Sequence, residues 1–170
     1  MNNLYSKNHP KTIKNTGTAA VPAAGRTRAM SVPVFDDYCF ACGQRNPIGL
    51  HMQVSYNSED LSAESRLSLA PEYVGWQEVI HGGILATLLD EIMSHAIWHF
   101  AGPAVTLGLD IQFRQTLAPG QLVVVQGRLT QTKGRRLQAQ GSIIRLADDR
   151  LIANAQGRFL LPPPAGPEAG

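Results

Sequence analysis

The run Glu78-Val-Ile-His81-Gly82-Gly83-Ile-Leu-Ala-Thr-Leu-Leu-Asp90-Glu91 sets a histidine, two glycines and an acid at fixed intervals along one segment. The apolar repeat that follows Gly83 predicts a helix, so Gly82 and Gly83 open it. There the first backbone N–H groups lack intrahelical partners and point outward, and no Cβ shields them from an approaching oxygen. Helix polarity adds partial positive charge at that end, which suits a carbonyl oxygen becoming an oxyanion. Asp90 lies seven residues beyond Gly83, two turns along the same side of the helix and about 10 Å along its axis. One chain alone does not bring that acid onto a carbonyl held at the helix start, whereas two antiparallel helices across a dimer do. Each residue has a plainer reading: a loop histidine, a glycine-rich helix start, an acid facing solvent. Together they set polar groups at both functional positions of an otherwise apolar helix, which is uncommon for a purely structural element.

The elements that must position these groups follow from periodicity. Leu85, Leu88, Leu89, Ile92, Met93 and Ala96 recur at helical spacing and predict one buried helix from Gly82 to about Phe100, stopped by Gly102-Pro103. Before it, His51–Asn57 and Leu61–Leu69 read as strands joined by the turn Asn57-Ser58-Glu59-Asp60. Asp36–Leu50 and Pro71–Ile80 read as loops. After it the period becomes two: Val105–Gln115, Gln121–Thr132, Leu137–Leu146 and Leu151–Leu161 read as a four-strand antiparallel meander. Pro162-Pro163-Pro164 ends the domain. Six strands and one helix define an α+β layer architecture. One helix covers only part of such a sheet, and the uncovered edge or face calls for self-association.

Composition narrows the partners. The chain has 170 residues, 44% hydrophobic and only 16% charged, with two cysteines. That fits one domain with tails and excludes a disulfide-dense scaffold. Lys7, Lys11, Lys14, Arg26 and Arg28 fall in an N-terminal stretch without acids. The positive charge therefore belongs to a leader over residues 1–33, expected to be disordered, and not to a nucleic-acid-binding face. Met30 is an alternative translation start. The folded domain is expected over residues 34–162 and a flexible tail over 163–170. No apolar stretch approaches the roughly 20 residues of a spanning helix, and no signal-peptide pattern is seen. The expectation is a cytoplasmic protein without nucleic-acid or membrane partners.

The stretch His81-Gly82-Gly83 with Asp90 nine residues after the histidine resembles the hotdog-fold acyl-CoA thioesterases, and most closely the phenylacetate-degradation (PaaI-like) branch. Leu109-Asp-Ile-Gln-Phe-Arg114 with Pro119-Gly120 is similar to the family's central strand and turn. Cys39-Phe-Ala-Cys42-Gly43 with Asn46-Pro47-Ile-Gly49-Leu50 resembles the start of one subgroup. The resemblance covers about Cys39 to Leu161. It implies a six-stranded antiparallel sheet wrapped around one long central helix, in homodimers with interfacial active sites, often paired into tetramers. It further implies that the Gly83 N–H, with Gly82 nearby, holds the thioester carbonyl of an acyl-CoA substrate, that His81 positions it, and that Asp90 of the partner subunit attacks or activates water. Many relatives carry an Asn where this chain has Gly75. Some carry a Ser or Thr at the position aligned with Gly108, for which Thr106, taken to share its strand face, can substitute. The alternative on the same fold is a non-catalytic acyl-CoA-binding or sensor protein. A serine-nucleophile scheme has no support, because no Gly-x-Ser-x-Gly elbow is present.

The resemblance also places the turn carrying Lys133, Arg135 and Arg136 near the nucleotide end of coenzyme A, whose phosphates suit such groups; a solvated turn is the competing reading. Arg114 is a second candidate, and Trp76, five residues before His81, could line an acyl pocket. Cys39-x-x-Cys42 invites a zinc reading with His51 as third ligand, but no fourth is visible, and a loop staple or core packing is preferred. His95 and His99 share a helix face without a third ligand. Neither a metal nor a cofactor is expected.

Overall fold

The computed structural model describes residues 37–163. The expected leader over 1–33, the domain start at Val34 and the tail after Pro163 lie outside the described residues. In chain order the elements are β1 (Ser55–Asn57), β2 (Ser62–Ser68), a 3-10 turn (Pro71–Tyr73), β3 (Val74–Trp76), β4 (Val79–Ile80), α1 (Gly82–Ala101), β5 (Val105–Phe113), β6 (Leu122–Lys133), β7 (Arg136–Arg145) and β8 (Arg150–Leu160). Among the described residues, no helix is long and apolar enough to cross a membrane.

α1 forms where its apolar stripe predicts. Leu88, Leu89, Ile92, Met93 and Ala96 have no exposed surface, and burial of each large aliphatic side chain contributes about 1.5–3 kcal/mol relative to exposure. Gly102 ends the helix with φ 107°, its amide donating back to the carbonyls of Ile97 and Trp98, a backbone that a Cβ would strain. The helix packs mainly against β6 and β7. Gly127 makes that approach possible: a Cβ there would stand 2.5 Å from the Ile92 carbonyl oxygen.

The sheet is six-stranded and antiparallel, in the order β1-β2-β6-β7-β8-β5. With one long helix held against its inner face, this is the hotdog architecture that the sequence resemblance implies. The expected four-strand meander is corrected. Only β6, β7 and β8 form one, and β5 lies at the far edge, paired with β8. The link from β5 to β6 crosses the sheet and buries an apolar residue on the way. Leu117 is fully buried, its carbonyl accepts from the Ile80 amide, and Gly120 N–H donates to Leu69 O.

Two further differences are local. His51–Val54 is not strand: His51 has φ 52°, and Leu50 and Met52 pair instead with Phe40 and Ala41 of the preceding loop. Within Pro71–Ile80, expected as loop, β3 and β4 form a small antiparallel pair that delivers the chain to the helix start. The outer face of the main sheet is polar across the strands, as in the row Ser62, Arg128, Gln140, Gln156 and Asp110.

Candidate active site

His81 is the N-cap of α1. Its backbone is extended (φ −61°, ψ 132°), its amide donates to Tyr73 O at 2.8 Å, and its ring Nδ1 accepts from Gly83 N–H at 2.8 Å. The ring fits there because position 75 is glycine: a Cβ on Gly75 would lie 2.5 Å from His81 Cδ2. The Asn that many relatives carry has no room beside this ring. The capping bond also distinguishes the two amides. Gly83 N–H, which the resemblance implies as the carbonyl donor with Gly82 nearby, donates to His81 Nδ1, whereas Gly82 N–H has no partner among the described residues. Gly82 lies under the Phe113 ring, 3.4 Å from where its Cβ would be.

Asp90 sits two turns further on, half-buried, and Thr106 Oγ1 donates to its Oδ1 at 2.9 Å. Burial raises the Asp90 carboxyl above the ordinary aspartate value; the Thr106 hydrogen bond opposes that rise and the nearby Glu91 charge adds to it. The Thr106–Asp90 bond depends on a β-bulge. The register of β5 against β8 shifts between Thr106 and Gly108, so Leu107 is an extra residue. Thr106, opposite the buried Phe159, faces the helix, while Gly108, opposite Arg158, faces outward with its Cβ position 2.9 Å from the Arg158 guanidinium. The expectation that the two share a face is therefore corrected: Thr106 joins the acid and Gly108 does not.

The remaining candidates separate. Trp76 is 82% exposed on β3, and Phe113, which the sequence reading missed, is 54% exposed above Gly82. Phe113 is found only through the strand register, because nothing in its local pattern sets it apart from a core residue. Lys133, Arg135 and Arg136 are exposed at the β6–β7 turn. Arg136 adjoins Leu137, which pairs with Phe159, itself opposite Thr106, so the turn lies two strand spacings, about 10 Å, from Thr106. Arg135 Nε donates to Leu161 O. The Arg114 side chain bonds Asn154 and Gln112 and lines a polar recess of about 570 Å³ on the outer sheet face.

On the opposite flank of α1, Glu91 Oε1 lies 3.5 Å from Cys39 Sγ and 3.3 Å from His95 Nε2. Burial raises the Glu91 carboxyl, but hydrogen bonds from His95 and Cys42 outweigh it and leave the group below its ordinary value. Burial and Glu91 together push the Cys42 thiol up. His51 is no part of this group; its Nε2 lies 2.6 Å from Asn46 O. His99 stacks on Tyr56 with ring centroids 4.0 Å apart.

Residues 77–152, which hold His81, Gly82, Asp90 and Thr106, match the family model of the thioesterase superfamily. The chain is 22% identical over 121 residues to acyl-coenzyme A thioesterase THEM4 of Bos taurus, covering 71% of this chain and 50% of that protein. It thus spans half the length of that relative. Two solved structures share the fold. One, a thioesterase superfamily protein, has a TM-score of 0.70 at 21% identity, covering 82% of this chain and 69% of the other. The second, a phenylacetic acid degradation-related protein from Ralstonia eutropha JMP134, has a TM-score of 0.60 at 20% identity, covering 66% and 86%.

Proposed function

We propose that this protein hydrolyses acyl-CoA thioesters to a carboxylic acid and free coenzyme A, in the manner of the PaaI-like branch, at sites shared between two copies of the chain. The observation that carries the reading is the Asp90 carboxylate, oriented by Thr106 at 2.9 Å on the helix whose Gly82 amide is unclaimed. The likeness to an acyl-coenzyme A thioesterase supports the substrate class.

In this scheme the thioester carbonyl accepts from Gly82 N–H at the positive end of α1, where charge developing on oxygen is stabilised. His81 fixes the local backbone by capping Gly83. Asp90 of the partner either takes a proton from the attacking water as the coenzyme A thiolate leaves, or attacks the carbonyl carbon itself, expelling the thiolate and leaving a mixed anhydride that water then hydrolyses to the acid and the free carboxylate. Exposed Trp76, Leu107 and Phe113, together with the unpaired edge of β5, support a pairing surface. Lys133, Arg135 and Arg136 are assigned to the coenzyme A phosphates, and two such dimers assemble into a tetramer.

The test is free-thiol release from short, long, branched and aromatic acyl-CoA substrates. Asp90→Asn is expected to lower turnover by about 10²–10⁴-fold, and wild-type rates in that variant defeat the mechanism. The shared site has its own test. Mixed dimers of an Asp90→Asn chain and a His81→Ala chain contain one intact site, so mixing two inactive preparations restores turnover. A monomer in solution, or no recovery after subunit exchange, rules out the cross-chain arrangement.

A further inference from the structure

We infer that Cys39, Cys42, Glu91 and His95 form a binding site for a zinc-class divalent cation, distinct from the proposed hydrolytic site. The sulfur atoms of Cys39 and Cys42 and a Glu91 carboxylate oxygen all lie within 4.8 Å of one another. Donors around a tetrahedral zinc stand about 3.3–3.8 Å apart, so modest closure completes three ligands. Both cysteines are free thiols. The loop that carries them is held in shape: Ala41 N–H donates to Cys39 Sγ at 3.3 Å and Gly43 N–H to Cys39 O at 2.9 Å. It closes so tightly that a Cβ on Gly43 would lie 2.5 Å from backbone atoms of Asp37 and Cys39.

His95 lies outside that 4.8 Å group but is buried one helical turn beyond Glu91, and it is assigned as the fourth donor on closure. Its Nε2 lies 3.3 Å from Glu91 Oε1, the separation of two ligands on one ion. Its Nδ1 lies 2.8 Å from Tyr56 Oη. With the proton on Nδ1 and Tyr56 accepting it, Nε2 keeps its lone pair for a cation, the arrangement that orients ligating histidines. Without an ion, Nε2 and Glu91 Oε1 remain in contact at 3.3 Å; with one, both groups turn their lone pairs to it.

The chemistry selects the cation. Two thiolates and an imidazole favour zinc and its neighbours over magnesium or calcium, and the geometry they can reach is tetrahedral. Binding displaces a proton from each thiol to solvent. The site ties the loop of Cys39 and Cys42, outside the family-matched segment 77–152, to the middle of α1. Its place in the fold is a staple beside Asp90, facing away from β5.

The full chain, reduced and freed of metal, is titrated with cobalt(II). The expected result is a thiolate-to-cobalt charge-transfer band with tetrahedral ligand-field absorption, saturating at one ion per chain and abolished by zinc. Cys39→Ser/Cys42→Ser is expected to lose the charge-transfer band. Glu91→Gln and His95→Ala each weaken cobalt binding at least tenfold. The wild-type titration stands even if a variant fails to fold. No band in the reduced wild type overturns the proposal, as does a band that survives in the double cysteine variant. A Cys39–Cys42 disulfide that forms as fast with zinc present as without it also overturns it.

Discussion

Asp90 and Glu91 are consecutive residues on one helix, about 100° apart around its axis, and they meet opposite surroundings. Asp90 faces an edge strand and, among the described residues, has one donor, Thr106. Burial wins there and its carboxyl is raised. Glu91 faces a loop and a histidine that supply thiol and imidazole donors; hydrogen bonding wins over burial and its carboxyl is lowered. The same amphipathic helix thus holds one carboxylate under-satisfied and the other well satisfied. An under-satisfied acid is suited to reaction, and a satisfied one to holding structure.

The largest expected effect separates the two directly. Asp90→Asn abolishes most turnover, yet it should keep cobalt uptake and hold or slightly raise the melting temperature at neutral pH. The sign follows from linkage. A carboxyl raised in the fold costs nothing below its unfolded value of 3.8, and its cost grows as pH climbs to the folded value and stays constant above it. A neutral isostere removes that cost. Glu91→Gln should do the reverse for the fold: removing the charge from its buried thiol and imidazole partners costs about 1–3 kcal/mol, read as a lower melting temperature. If Asp90→Asn destabilises the protein as much as Glu91→Gln does, the two acids share one structural role and the contrast is lost.

Next in size is Gly75→Ala. The new methyl would stand 2.5 Å from His81 Cδ2, so the ring must swing out and release Gly83 N–H. Loss of such a cap costs about 1 kcal/mol of stability. Turnover should fall about tenfold while substrate binding through the basic turn persists, so kcat drops more than KM rises. Unchanged kcat would show that the capped geometry is irrelevant to the chemistry.

What was legible in the sequence was whatever depends on periodicity. α1 begins at the predicted Gly82, and β6, β7 and β8 fall within a residue or two of the predicted strands. The candidate site of His81, the glycines and Asp90 was legible as a set because its spacing is local. Long-range matters were not. β5 reads as the next strand of a meander, but it pairs with β8 at the far edge, and its link, which buries Leu117, crosses the sheet. The bulge at Leu107, which decides that Thr106 and not Gly108 meets Asp90, leaves no trace in alternation because both neighbours are small or polar. The partners of Cys39 and Cys42 lie 52 and 49 residues away in sequence at Glu91, while the nearer His51 turns to Asn46 instead. Local spacing therefore did not show which groups meet the two thiols.

The smallest effect tests how Asp90 is tuned. Thr106→Val keeps the shape of the side chain and removes the one donor to Asp90 Oδ1 among the described residues. Burial, the main cause of the raised carboxyl, is untouched, so the group rises further. Hydrolysis that needs the carboxylate then loses its acid limb at a higher pH than in the wild type, while the alkaline plateau falls by at most about tenfold, the worth of one partly exposed charge-assisted hydrogen bond. Stability follows the same proton: wild type and variant should differ little near pH 3 and diverge as pH rises through the Asp90 transition, the variant being the less stable. Any change caused by packing alone would be constant across that range. A pH-independent loss would therefore assign Thr106 to the structure of the β5 edge, and a loss that appears only as Asp90 ionises assigns it to the carboxylate.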